Sequence, residues 1–187
     1  MDKIDASVLG LGILVATGLV GNLAHSKMNN KELLREEESV QKEVIIPGLA
    51  LSEFISNRYK VEFKYPKSWS KNPRYEDKYE GESGFFEVGD FSGVGQNIDE
   101  AVNSQINEYY KPYGSNPTIR KFVVDGQPAR VIYPSDDQLE FYKDREAAIV
   151  VKYPQPVMIN GQMFEYVVIW ITKTFVPLII STLKFIQ

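Results

Sequence analysis

Residues 59–69, with the sequence YKVEFKYPKSW, constrain the fold of this chain more than any other stretch. Aromatic and aliphatic residues alternate with lysine and glutamate from Tyr59 to Tyr65, and a period of two predicts a half-buried β-strand. Pro66 has no N–H to extend a ladder of hydrogen bonds, so we expect the strand to end there. Trp69 follows the turn and is placed to fold back over the apolar face of the strand.

Composition removes several classes of function. The chain has no cysteine, and its single histidine, His25, lies ahead of the predicted domain. Disulfides, thiolate chemistry, zinc hydrolysis and Ser-His-Asp catalysis are therefore disfavoured. A net charge of -4 argues against a nucleic-acid partner, because phosphate binding needs a basic surface. We predict a protein that is not an enzyme and that uses no metal and no cofactor.

Residues 6–24 carry no charged side chain and would measure about 28 Å as a helix, close to the thickness of a bilayer core. We expect a membrane anchor in contact with lipid. A cleaved signal peptide is the first alternative, since residues 16–18 are small, and a buried helix is the second. Lys27, Lys31 and Arg35 follow the segment, whereas Lys3 alone precedes it. By the positive-inside tendency, these charges predict that the domain lies in the cytoplasm.

The chain divides into three parts. Residues 1–24 form the anchor or signal peptide, residues 25–57 a charged helical tether, and residues 58–187 the folded domain. The run from 31 to 43 has too few apolar residues to require burial, which is typical of a solvated spacer. We expect residues 49–55 to pack on the domain as a short helix.

Within the domain, turn signals define the strands. Asp125-Gly126 separates apolar runs at residues 118–124 and 127–133, and Asn160-Gly161 separates a second pair, so each predicts a β-hairpin. Residues 147–153 predict a central strand, and 70–84 a surface loop. Residues 97–110 predict a helix that buries Ile98, Ala101, Val102, Ile106 and Tyr109. The pattern indicates an α+β domain: an antiparallel sheet of about six or seven strands flanked by helices.

The aromatic-Pro-x-x-Trp turn at residues 65–69, and a closing helix that leads into Ser181, Lys184 and Phe185, resemble the Mog1/PsbP-like fold. Residues 112–119, 126–138 and 147–159 are more similar to an uncharacterised envelope domain of Gram-positive bacteria, found on sensors of the BlaR type. The resemblance covers residues 59–187. It implies an α/β/α sandwich and an extracytoplasmic location, and it implies no activity.

The strongest candidate for a binding site is the polar segment after the second strand of the first hairpin. It comprises Tyr133, Ser135, Asp136, Asp137 and Gln138, and a turn containing Tyr113 and Asn116 is expected beside it. Loops at strand ends often carry function, and the carboxylates offer oxygen atoms to a ligand or a divalent cation. The alternative is a turn whose side chains bond their own backbone. Tyr-Pro at residues 65, 133 and 153 suggests either a groove rim or ordinary strand ends.

These observations favour a membrane-anchored binding or accessory module, exposed in the cell envelope, with a protein or cell-wall partner. The alternatives are a small-ligand or divalent-cation sensor and a cytoplasmic adaptor. The sequence leaves the oligomeric state open.

Overall fold

The computed structural model describes residues 48–91, 93, 97–142 and 146–187. Their elements, in chain order, are β1 (Leu51–Ser56), β2 (Val61–Pro66), β3 (Ser70–Lys71), β4 (Lys78–Gly81), β5 (Gly84–Phe91), α1 (Ile98–Ile106), β6 (Thr118–Val124), β7 (Gln127–Tyr133), β8 (Ala148–Ile159), β9 (Gln162–Ile171), α2 (Val176–Thr182) and β10 (Lys184–Phe185). Short 3-10 turns occupy Glu140–Tyr142 and Lys173–Phe175.

The strands form two sheets in which every described pairing is antiparallel. The larger sheet has seven strands in the order β3-β4-β5-β9-β8-β7-β6, and the smaller has the order β1-β2-β10. With a helix on each side of the larger sheet, the domain is α+β. The prediction of an antiparallel sheet of that size with flanking helices is confirmed.

The seven-stranded sheet is covered on both faces. Along β8, Ile149 and Val151 belong to one core cluster, whereas Ala148 and Val150 belong to another. The first cluster includes β2 and α2, and the second includes α1 and Tyr113. Since successive residues of a strand point to opposite faces, the two clusters mark the two sides of the sheet. The domain therefore has three layers.

The predicted strand at residues 59–65 is present as β2, which ends at Pro66 as expected. Its alternate side chains are buried against β5, where Phe86 is fully enclosed. Five aromatic rings surround Phe86, with centroids 5.0 to 6.2 Å from its own. They are the rings of Phe54, Phe63, Tyr65, Trp69 and Tyr79. Trp69 also meets Phe175 edge to face at 4.8 Å. The prediction that Trp69 folds back onto the core is confirmed.

Both predicted hairpins are present with the expected turn chemistry. Asp125 and Gly126 have φ of 48° and 75°, and Asn160 and Gly161 have φ of 51° and 81°. Two consecutive left-handed residues are what a type I′ turn requires, and Asn, Asp and Gly adopt that conformation at the lowest cost.

Helix α1 begins as predicted and ends early. Asn97 accepts hydrogen bonds from the N–H groups of Asp99 and Glu100, and the Glu100 side chain accepts one from the Asn97 N–H. The helix stops at Ile106, so the prediction that Tyr109 lies in its buried stripe is wrong: Tyr109 is 92% exposed.

Two further predictions are wrong. Residues 49–55 are expected to form a short helix, but Leu51–Ser56 form β1, which pairs with β2 and places Phe54 opposite Phe63. Residues 70–84, assigned to a loop, contain β3 and β4. In both cases the partner strand supplies the hydrogen bonds, and a local pattern does not reveal the partner.

The predicted anchor at 6–24, the spacer at 31–43 and most of the glycine-rich turn at 92–96 lie outside the described residues. No helix in the described part of the chain is long and apolar enough to cross a membrane.

We expect Phe86→Ala to lower the free energy of unfolding by about 3–5 kcal/mol, because it removes a fully buried ring and leaves a cavity between the sheets. Denaturant unfolding followed by circular dichroism measures the change. Phe141→Ala is the control: that ring is 84% exposed, so its removal should change stability by less than about 0.5 kcal/mol. Equal effects would contradict the position of Phe86 in the core.

Candidate functional site

The structure brings together several residues of the predicted polar segment. The Ser135 N–H donates to the Tyr113 carbonyl at 3.0 Å, and the Ser135 hydroxyl donates to Asp137. Asp137 also accepts the Ser115 N–H, at 3.1 and 3.3 Å from its two oxygens. The Asn116 N–H in turn donates to the Ser135 hydroxyl oxygen at 3.2 Å. These bonds join the segment after β7 to the segment after α1.

Gln138 completes this connection. Its side-chain amide donates to the Pro112 carbonyl at 2.8 Å and to the Tyr142 carbonyl at 2.9 Å. Between the two segments, Gly114 has a φ of 80°, and a Cβ at that position would collide with the Ser135 hydroxyl. Most of the polar groups that suggested a ligand site are thus engaged in holding two loops together.

Hydrogen bonds from Ser115 and Ser135 lower the pKa of Asp137 from 3.8 to about 2. Those bonds favour the charged form, so Asp137 remains a carboxylate far below neutral pH. Its negative charge is directed at Ser135 in its own loop and at Ser115 in the loop after α1.

The side chains of Asp136, Asn116, Tyr113 and Tyr133 do not converge on one surface. Asp136 and Asn116 are exposed, whereas Tyr113 is fully buried on the α1 side and accepts a hydrogen bond from the Trp170 indole at 3.1 Å. Tyr133 is half-buried and packs with the cluster on the opposite face, where the Arg120 guanidinium lies 5.6 Å from its ring centre. Tyr133 and Tyr113 therefore do not share a rim.

A cleft of about 840 Å³ lies elsewhere, and it contains none of the residues of the predicted polar segment or of the turn beside it. Of the three strand-end tyrosines considered for a groove rim, Tyr153 alone is in its lining, and that side chain is buried. Its walls come from the turn after β1, the middle of β8 and the residues around β10. The lining residues are Asn57, Arg58, Lys60, Asp125, Tyr153, Pro154, Gln155, Pro156, Val157, Met158, Ile159, Asn160, Phe185, Ile186 and Gln187. Its volume is in the range of ligand pockets, about 300–1,000 Å³.

Prolines in β8 explain why one wall of the cleft is irregular. Lys152 pairs with Tyr166, and the next pair is Val157 with Phe164. Between these two pairs, β8 advances by five residues and β9 by only two. Pro154 and Pro156 fall inside this interval, and neither can donate to a ladder. The strand bulges there, and its exposed Pro-Gln-Pro segment stands beside the cleft.

The charged side chains at the cleft differ in whether they have a partner. Arg58 is paired with Glu76 at 2.6 Å and lies 3.8 Å from Asp77. Asp125 accepts the Phe185 N–H at 2.9 Å. Lys60 forms no ion pair with any described residue, whereas Arg58 faces two carboxylates.

Two polar atoms at the cleft are buried without a hydrogen-bond partner among the described residues: the Tyr153 hydroxyl and the Arg58 Nε. Tyr153 is 2% exposed, and burial together with Asp90 raises its pKa well above 10. Behind it, burial and Asp77 raise the pKa of Tyr59 to about 12. A buried polar group without a partner costs about 1–3 kcal/mol, which makes these two atoms exceptional in the fold.

Within the described ranges, no group of three or more His, Cys, Asp or Glu side chains could hold a metal ion. The cleft itself combines apolar walls with Arg58, Lys60 and Tyr153, a set suited to binding rather than to metal coordination.

Sequence reasoning missed the cleft because its walls are remote along the chain and meet only in the fold. One signal was present. Two prolines in the interior of an apolar run mark a strand that cannot be paired continuously, and such bulges are common beside functional sites.

We expect the Asp137 carboxylate to make stability fall at low pH. Its folded-state pKa of about 2 is below the ordinary value of 3.8, so its contribution is present above pH 3.8 and is lost as the pH falls toward 2. In thermal unfolding over this range, wild type should lose more stability than Asp137→Asn. Asp136→Asn, which removes the neighbouring exposed charge, should parallel wild type. Parallel curves for wild type and Asp137→Asn would show that these bonds do not stabilise the fold.

A scan of the sequence against protein-family models finds no match, and a search of curated proteins finds none either. The function of the chain is therefore inferred from the geometry of its domain.

Proposed function

We propose that this chain is a non-catalytic binding module, anchored in the membrane through residues 6–24 and exposed in the cell envelope, and that the cleft beside β8 is its binding site. The observation that carries the proposal is the cleft itself, with about 840 Å³ of space lined by seven apolar residues, Tyr153 and seven polar or charged residues. Pockets of this volume bury most of a small ligand or of a short stretch of a partner.

The absence of histidine and cysteine from residues 48–187 supports a role without catalysis. The cleft holds two basic side chains and a protonated tyrosine, and Asp125, its one acidic side chain, is bonded to a backbone N–H. General acid–base or nucleophilic catalysis needs a group poised to exchange a proton near neutral pH.

The proposal includes a Mog1/PsbP-like α/β/α sandwich for the domain. Support comes from the seven-stranded antiparallel sheet with α1 on one face and α2 on the other, and from β10, which follows α2 and pairs with β2 in the smaller sheet. The envelope location is supported by the apolar segment at 6–24 and by the resemblance of residues 59–187.

Protease accessibility tests the location. A C-terminal tag on the full chain should be lost when intact cells are treated with an external protease, because we expect the domain outside the membrane. A tag protected until lysis would place the domain in the cytoplasm, in agreement with Lys27, Lys31 and Arg35. A tagged cytoplasmic protein in the same cells reports whether they remained intact.

Photo-crosslinking in living cells tests the cleft. A photoreactive amino acid at Gln155, exposed at the cleft, should give discrete adducts of the full chain by mass spectrometry. The matched control is Asn103, exposed on α1 on the other face of the large sheet, where no adduct is expected. No adduct at Gln155, or the same adducts at both positions, would reject the cleft as the binding site.

A further inference from the structure

Two hydrogen-bond donors at the cleft lack an acceptor. The Arg58 Nε–H can only donate, and the Tyr153 hydroxyl stays protonated because burial and Asp90 raise its pKa. Both lie beside Tyr59: the Arg58 guanidinium carbon is 5.1 Å from its ring centre, and Tyr59 acts electrostatically on Tyr153. Two residues of the cleft lining therefore hold buried donors without acceptors, and a ligand oxygen satisfies them once they are uncovered.

The unpaired Lys60 at this end of the cleft favours an anionic acceptor. Lys60 follows Arg58 on the same turn and has no described carboxylate paired with it, although both line the cleft. Glu76 and Asp77 contact the Nη1 atom of Arg58 and leave its buried Nε without an acceptor. An ionised acceptor forms shorter and stronger hydrogen bonds than a neutral one.

Away from these donors the lining is mixed: the apolar residues lie on β8 and around β10, and the polar ones are Asn57, Asp125, Gln155, Asn160 and Gln187. Val157, Phe185 and Ile186 are half-buried, and Ile159 is buried beneath them. Pro154 and Pro156 add rigid apolar surface on the β8 side. A ligand that fits this distribution has one charged end and an apolar body.

We propose that the cleft binds an apolar carboxylic acid, with its carboxylate accepting hydrogen bonds from the Arg58 Nε and the Tyr153 hydroxyl. Lys60 supplies the additional positive charge, and the apolar body lies along Val157, Phe185 and Ile186. This inference rests on the proposed function, because it names the ligand class of the same cleft. The carboxylate belongs either to a free organic acid or to the C-terminus of an apolar peptide.

Binding requires a rearrangement, because both the Tyr153 hydroxyl and the Arg58 Nε are covered by protein. We expect the Phe185 ring to move, since its centroid is 5.6 Å from that of Tyr153 and it lies at the wall of the cleft.

Calorimetric titration of the full chain in nanodiscs, with empty nanodiscs subtracted, tests the proposal. The probes are hexanoate and its neutral counterpart hexanamide, and acetyl-Ala-Leu-Ile as the free acid and as the amide. Each acid should bind at least about tenfold more tightly than its amide, because the amide lacks the charge. Tighter binding of hexanoate indicates a free acid as the ligand, and tighter binding of the tripeptide acid indicates a peptide terminus.

Variants identify the donors. Tyr153→Phe and Arg58→Gln should each weaken acid binding about tenfold and amide binding less, because the amide carbonyl accepts a weaker, uncharged hydrogen bond. Tyr153→Phe removes a hydroxyl without a protein partner, so its unfolding temperature should not fall, and this shows that the variant is folded. Lys60→Gln should weaken acid binding, whereas Lys152→Gln, which removes the same charge from an exposed site outside the cleft, should not.

Equal affinity for acid and amide, wild-type affinity in Tyr153→Phe and Arg58→Gln, or no heat with either acid would each overturn the proposal. The crosslinking result then shows whether the cleft is the binding site or whether only the ligand class is wrong. Adducts at Gln155 without acid binding would mean that the cleft takes another class of ligand, and their absence would mean that it is not the binding site.

Discussion

The burial of both faces of β8 and β9 is the constraint on which the rest of the domain depends. Residues 148–151 on one strand and 166–169 on the other are 0 to 4% exposed, so their side chains need apolar cover on each side of the sheet. At about 25 cal/mol per Å² of apolar surface removed from water, a single uncovered face would cost much of the stability of a domain. The layer of α2 with β1, β2 and β10 covers one face, and α1 with the following loop covers the other.

The same constraint determines where the cleft opens. Pairing of β7 with β8 extends only to Val151, and pairing of β5 with β9 only to Tyr166, so the tip of the β8–β9 hairpin projects beyond both neighbours. Pro154 and Pro156 interrupt the ladder at the start of this projection. The tip of this hairpin therefore stands apart from the turn after β1 and from β10. The cleft lies in the gap between the hairpin and these two segments.

The sequence predicts those parts of the fold that a few neighbouring residues determine. Asp125-Gly126 and Asn160-Gly161 place both hairpins, because the left-handed conformation is local and few residues adopt it readily. Asn97 and Glu100 likewise place the start of α1. The strand β1 and the pair of β3 with β4 were missed, because their hydrogen bonds come from partner strands. The cleft was missed for the same reason, since Arg58, Tyr153 and Phe185 meet only in three dimensions.

The contrast between the predicted polar segment and the cleft shows why residue type alone misplaces a site. Ser135, Asp137 and Gln138 have the side chains of a binding loop, yet each makes hydrogen bonds within the loops that it joins. A ligand there would have to replace bonds already made, with little net gain. At the cleft, the donors of Arg58 and Tyr153 lack protein acceptors, so an incoming oxygen adds bonds without breaking any between protein groups. Hydrogen bonds that the fold leaves unmade, rather than the number of polar residues, distinguish the site that can hold a ligand.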